Sequence, residues 1–207
     1  MLPFRAVLFD LDGTLIDSFA AIAASVNHVR AWRGLGPLSE KEVMGYVGRG
    51  AVRLMADAIG VGDPAENLAA YSAHHPSVIR PLTRLLPNAR ETLVALHGQG
   101  KLLGICSNKP VAFTRELMDH LGLIGLLSTV LGPEDVGRPK PAPDMLVEGM
   151  RRLKVSPTET LYVGDMTVDI DTGRAAGVTV WAVPTGIQSA EQLGGANRIL
   201  SSLNELT

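Results

Sequence analysis

Cysteine is nearly absent: Cys106 is the single one in 207 residues. No disulfide can therefore close within the chain, and a reducing compartment suits it. Long uncharged runs are absent as well. Arg5, Asp10 and Asp12 break up the apolar N-terminal stretch, which leaves no hydrophobic region of a secretory leader, and no segment is long enough to cross a bilayer. Net charge is small, −2 with the histidines neutral, so electrostatics give no reason to expect nucleic acid or an anionic membrane as partner. Repeats and low-complexity tracts are missing too. These absences make a cytoplasmic protein the expectation and leave oligomeric state unmarked. What is there fits a soluble globular chain: 46% hydrophobic and 19% charged residues, and enough length for one sizeable core with a smaller insert.

Short apolar runs rich in Val, Leu and Ile alternate with helical patterns. The runs are Arg5–Phe9, Lys101–Cys106, Ser128–Leu131, Thr160–Val163 and Val178–Val183. They lack polar alternation, which predicts strands covered on both faces, as in a parallel sheet. Asn88–His97 puts Ala89, Leu93 and Leu96 on one helix face and stops at Gly98 and Gly100; Phe113–Leu121 and Pro143–Leu153 read the same way. Ser156-Pro157 has the form of an N-cap followed by proline at the first helical position. The alternation predicts an α/β fold, a Rossmann-like doubly wound parallel sheet. Between Phe9 and Lys101 lie far more residues than one crossover needs. Phe19–Trp32, capped by Asp17 or Ser18, then Ala51–Ile59 and Pro64–Ala73 read as helices, and Ser39 to Glu42 fits a capping box. The expected organisation is a core made of residues 1–16 and 84–207 with a small helical domain, 17–83, inserted into it.

Ligands of open α/β sheets bind beyond the carboxyl ends of the strands. Asp10 and Asp12 follow the first run; Ser107, Asn108 and Lys109 follow the second; Gly164, Asp165 and then Asp169 follow the fourth; Lys140 lies in the loop Arg138-Pro139-Lys140-Pro141. Clustered carboxylates repel one another unless a cation, a proton or hydrogen bonds offset the charge. A divalent metal with a phosphate offsets it best. The carboxylate of Asp10 can attack phosphorus and form an aspartyl phosphate. Mg²⁺ held by carboxylates neutralises an anion attacking an anion; Asp165 is placed to hold it, and Asp169 to bind it or to hold a water bound to it. Lys140 and Ser107 can fix phosphoryl oxygens. Asp12 is then free to protonate the leaving oxygen and later to activate water.

Asp10-x-Asp12-x-Thr14, Ser107, Lys140 and Gly164-Asp165-x-x-x-Asp169 resemble, in order, the four motifs of the haloacid dehalogenase-like hydrolase superfamily. The similarity spans nearly the whole chain, with the helical insert corresponding to the family's cap. It implies that Asp10 is nucleophile and metal ligand, that Asp12 is the acid/base with its main-chain carbonyl on the metal, that Asp165 is the last ligand, and that Asp169 is a ligand or its support. An acid at Asp12 is the mark of the family's phosphate-ester branch rather than its metal-free dehalogenases. Val47-Gly48-Arg49-Gly50, Ser107-Asn108-Lys109-Pro110 and Arg138 to Pro143 are similar to the phosphoglycolate phosphatases. The resemblance therefore implies a Mg²⁺-dependent phosphatase of a small phosphorylated metabolite, best matched by 2-phosphoglycolate. On the core side the expected substrate and phosphate contacts are Gly13, Thr14, Ser107, Asn108 and Lys140. On the cap side they are Gly48, Arg49 and Gly50, with Arg49 or Arg53 as the cation for a substrate carboxylate.

Plainer readings accompany these. Cys106 reads as a buried strand thiol. Trp32 and Trp181 read as packing residues. His74-His75 is a poor metal motif, because adjacent residues do not share a helix face. A sugar phosphomutase and a phosphoaspartate signalling receiver are the alternative functions. Steady release of phosphate without a bisphosphate primer would exclude the first as the main activity, and the helical insert together with Asp12 argues against the second.

Overall fold

A computed structural model describes residues 2–207. Strand β1 (Ala6–Phe9) opens the chain, and a two-residue strand β2 (Ile16–Asp17) leads into four helices: α1 (Phe19–Trp32), α2 (Glu40–Met44), α3 (Ala51–Ile59) and α4 (Pro64–Ile79). The chain returns through β3 (Arg84–Leu85) and continues as α5 (Ala89–Gly98), β4 (Leu102–Cys106), α6 (Val111–His120), β5 (Thr129–Leu131), α7 (Asp144–Leu153), β6 (Thr160–Gly164), α8 (Thr167–Ala176), β7 (Thr179–Ala182) and β8 (Arg198–Ile199).

Six strands form one parallel sheet in the order β5-β4-β1-β6-β7-β8. From β1 the chain winds outward through β4 and β5, then crosses back to β6 on the other side of β1. The winding reverses at β1, so a crevice opens at the carboxyl ends of β1, β4 and β6. Register makes these ends level, since Phe9 pairs with both Ile105 and Val163. Both faces are covered. Val7 and Phe9 pack with Leu93, Leu96 and Leu117 under α5 and α6, whereas Ala6 and Leu8 pack with Met145, Leu146 and Ile170 under α7 and α8. This two-sided burial is why the strands read as unbroken apolar runs. A third apolar cluster, including Ile22, Val26, Val43, Leu54, Met55 and Tyr71, holds the four inserted helices together. The chain leaves and re-enters the core side by side, with Ile16 paired to Leu85 and Asp17 to Arg84 in an antiparallel β2–β3 ladder, and an Arg84–Asp17 ion pair of 2.6 Å beside it.

Several local expectations change. Helix α4 runs on to Ile79, six residues past Ala73, through the exposed Pro76, because His75 and Ile79 are buried and packing outweighs the hydrogen bond that proline cannot make. Ser156-Pro157 starts only a single 3₁₀ turn, since β6 begins at Thr160. Ser18 is the N-cap of α1 but makes no capping bond with its side chain, which is engaged at the site described below. Trp32 is 54% exposed, under the Arg33 guanidinium at 3.9 Å, so it is not a core residue, whereas Trp181 packs edge-on against Phe4. Cys106 is fully buried, and burial pushes its thiol up to about 12. No helix among the described residues is long and apolar enough to cross a membrane.

Proline inside a helix costs roughly 3 kcal/mol, of which about 1 kcal/mol is offset by a stiffer unfolded chain. Pro76→Ala should therefore raise unfolding stability by roughly 1–2 kcal/mol. Urea denaturation should show a higher midpoint at unchanged slope, and an unchanged or lower midpoint would refute this reading of α4.

Candidate active site

Three carboxylates meet at the winding reversal. Asp10 leaves β1, Asp165 follows β6, and Asp169 stands in the first turn of α8; all three are buried, and each offers an oxygen within 4.8 Å of the others. One buried ammonium lies among them. Lys140 Nζ is 2.9 Å from Asp10 Oδ1 and 2.7 Å from Asp169 Oδ1, and it donates to the Tyr162 hydroxyl at 3.0 Å. Burial alone would push the lysine down, but the two carboxylates outweigh it and raise it above its ordinary value. Asp10 is raised to about 6, first by burial and then by the nearby Asp169, against the lowering pull of Lys140. Asp165 rises well above the carboxylate range through burial and the charges of Asp169 and Asp10.

The cluster's hydrogen bonds are uneven. Asp169 has both oxygens engaged, with a lone pair left on Oδ2: Oδ1 takes Lys140 and lies 2.9 Å from the Tyr162 hydroxyl, while Oδ2 accepts from the Met166 amide at 3.0 Å. Asp165 Oδ1 accepts from Thr14 Oγ1 at 2.7 Å, but its Oδ2 has no partner among the described residues. Asp10 Oδ1 has Lys140 in ion-pair range without an aligned hydrogen bond. Buried carboxylate oxygens left unpaired are expensive. An all-oxygen donor set with unpaired lone pairs fits a hard divalent cation. Glycine keeps the space open: a Cβ on Gly13, whose φ is +86°, or on Gly186 would collide with the Asp165 carboxylate.

Asp12 faces away from this cluster. Its carboxylate accepts from Ser18 Oγ at 2.5 Å and from Lys109 Nζ at 3.1 and 3.2 Å. With Asp10, Ser107, Lys109 and Lys140 it lines a pocket closed on the helical side by Ile22, Val47, Leu54 and Tyr71, with a free volume near 40 Å³. Asn108 braces this arrangement. Its amide nitrogen donates to the carbonyls of Lys140 and Gly48, both at 3.0 Å, and its oxygen accepts from the Lys140 amide at 2.9 Å. Asn108 lines the pocket, and its side chain is committed to two loops, one from each half of the molecule. Gly48 and Gly50 line the pocket. Arg49 and Arg53 instead line an outer cleft of about 690 Å³ with Met166, Thr167 and Asp171, and Arg53 pairs with Asp57 at 2.8 Å.

Sequence reasoning passed over Tyr162, Gly186 and Thr185, whose hydroxyl donates to the Gly13 carbonyl at 2.6 Å. Tyr162 was hidden inside an apolar strand, although a tyrosine among valines and leucines asks where its hydroxyl goes. Thr185 and Gly186 lie in a loop without a motif.

A parallel sheet with four such strand-end loops and an inserted helical module defines a class of hydrolase. Residues 7–183 match the model of the haloacid dehalogenase-like hydrolase family, and the chain belongs to that family. Among curated relatives, the N-acetylmuramic acid 6-phosphate phosphatase of Pseudomonas aeruginosa is 34% identical, covering 88% of this chain and 82% of its own length. The phosphoglycolate phosphatase of Escherichia coli is 32% identical over 98% of this chain and 90% of its own. A solved structure from Bacteroides fragilis, provisionally assigned to the haloacid dehalogenase-like hydrolases, superposes with a TM-score of 0.93 at 29% identity, covering 99% of this chain and all of that one.

The raised Asp10 makes a prediction that needs no assay of activity. Its folded value of about 6 exceeds the ordinary 3.8, so the metal-free fold is penalised as pH rises through that window. A divalent cation competes with protons for the same oxygens. Saturating Mg²⁺ should stabilise the protein by about 2–3 kcal/mol at pH 8 and by much less at pH 5. Melting curves with and without Mg²⁺ decide it, and equal shifts at both pH values would contradict the assignment.

Proposed function

We propose that this protein is a Mg²⁺-dependent phosphatase that hydrolyses a small phosphorylated metabolite, 2-phosphoglycolate, through a phosphoaspartate on Asp10, in the cytoplasm. The observation that carries the reading is the division of labour between two acids two residues apart. Asp10 faces a buried cation site with Asp165 and Asp169, and Asp12 faces the pocket where a leaving group would sit.

The chemistry runs in two displacements. An Asp10 carboxylate oxygen bonds to phosphorus as the ester bond breaks, and Asp12 gives its proton to the departing oxygen. Water then attacks phosphorus, Asp12 takes the water's proton back, and the bond to Asp10 breaks to release phosphate. Lys140, 2.9 Å from Asp10, and Ser107 hold the phosphoryl oxygens during both steps. Mg²⁺ bound by Asp10, Asp165 and Asp169, with the Asp12 main-chain carbonyl, would neutralise charge that otherwise repels an anionic nucleophile from an anionic ester. Phosphate monoesters resist hydrolysis so strongly that barrier lowering of up to ~28 kcal/mol is asked of such sites, beyond what any single group supplies.

What supports 2-phosphoglycolate is the match over 98% of this chain to the phosphoglycolate phosphatase of Escherichia coli. Phosphate release from a panel of esters tests the reading. The expected result is steady turnover without a bisphosphate primer, 2-phosphoglycolate leading, with loss of about 10⁴-fold or more in Asp10→Asn and comparable loss on chelation. Activity that survives either treatment would rule the mechanism out, and a different leading ester would rule out the substrate.

A further inference from the structure

Lys109 is a buried cation that the two displacements leave without a task. Its side chain is 4% exposed, on the loop that joins β4 to α6. Two of its three N–H donors reach Asp12, at 3.1 and 3.2 Å, and no further partner exists among the described residues. The remaining donor belongs to a group that lines the same pocket as Asp10 and Ser107. The pocket's helical wall, with Ile22, Val47, Gly48, Gly50, Ala51, Leu54 and Tyr71, brings no cationic side chain, so Lys109 and Lys140 are the two ammonium groups that line it. His75, behind Tyr71 and Phe113, is held neutral: burial and the Lys109 charge push it down to about 3. Arg49 and Arg53 lie on the outer cleft, which neither Asp10 nor Asp12 lines.

We infer that Lys109 is the specificity residue of this site: its ammonium receives the carboxylate of a leaving group in which that carboxylate is one carbon from the ester oxygen. The inference rests on the phosphatase reading above and names the substrate class as phosphate esters of 2-hydroxy acids. Asp12 must touch the ester oxygen to protonate it, and Lys109 touches Asp12. A substituent on the neighbouring carbon is therefore the part of the leaving group within reach of the third donor. Buried and paired with a single acid, the ammonium gains a second anion when such an ester binds, whereas a neutral leaving group leaves that donor unmatched.

The test compares 2-phosphoglycolate with 2-hydroxyethyl phosphate, which replaces the carboxylate by a neutral hydroxymethyl group. The readout is the ratio of their kcat/KM values in the Mg²⁺-loaded wild type and in Lys109→Met and Lys109→Gln. Damage to Asp12 or to folding lowers both substrates together and cancels in the ratio, and the glutamine can still donate to Asp12. The ratio should favour 2-phosphoglycolate in the wild type and fall by about 30-fold or more in both variants, while Lys109→Arg keeps most of it. An unchanged ratio in the variants with a preserved wild-type preference overturns the role of Lys109 and leaves the substrate reading standing. A wild type that shows no preference overturns both. A ratio that collapses in Arg49→Ala but holds in Lys109→Met moves the carboxylate contact to the outer cleft and also overturns the inference.

Discussion

One ammonium faces three buried carboxylates, and the rest of the structure is arranged around that imbalance. Lys140 is within ion-pair distance of Asp10 and Asp169, and Asp165 has an oxygen without a partner among the described residues. A buried cluster with excess negative charge is destabilising on its own terms. It persists because the sheet forces the carboxylates together and because a divalent cation and a phosphoryl group can complete it. The raised positions of Asp10 and Asp165 are the same fact seen as proton affinity: without a cation, protons are drawn in. The supports around the cluster make sense in this light. Tyr162 and the Met166 amide hold Asp169, Thr14 holds Asp165, and Gly13 and Gly186 keep side chains out.

Topology delivers these groups. The strands β1, β4 and β6 end level, so the residues just beyond them fall within a few ångströms although Asp10 and Asp165 are far apart in sequence. The helical module is tied to the core by the β2–β3 ladder, the Arg80–Glu116 ion pair of 2.9 Å, the Ser18–Asp12 hydrogen bond and the Asn108 bridge from Gly48 to the Lys140 loop. The Asn108 bridge links the element that would choose the substrate to the one that would hold the phosphoryl group. Movement of the helices away from the core would break the Gly48 bond and leave the two bonds to Lys140 intact.

Much of this was legible in the residues, for physical reasons that also explain the gaps. The five central strands were readable because burial on both faces leaves unbroken apolar runs, and their bounds differ from the structure by a residue or two. β2, β3 and β8, of two residues each, leave no periodicity to detect. α4 outran its expected end because Pro76 signals a stop that His75 and Ile79 override by packing. At the site, Asp10, Asp165, Asp169 and Lys140 could be grouped because carboxylates at strand ends are costly without a partner. Side-chain direction was less accessible. Arg49 or Arg53 was the expected cation for a substrate carboxylate, yet both line the outer cleft, whereas Lys109 lines the pocket. Asn108 lines the pocket while its side chain bonds backbone groups of two loops, which no motif announces.

The central claim is that Asp10, not its neighbour two residues on, forms a bond to phosphorus. The most direct measurement is a rapid acid quench during turnover of 2-phosphoglycolate, followed by borohydride reduction and peptide mapping. Phosphorylated aspartate is reduced to homoserine, and the account places that conversion at position 10 alone. Phosphate release with no conversion at Asp10, or with conversion at Asp12 instead, would contradict it.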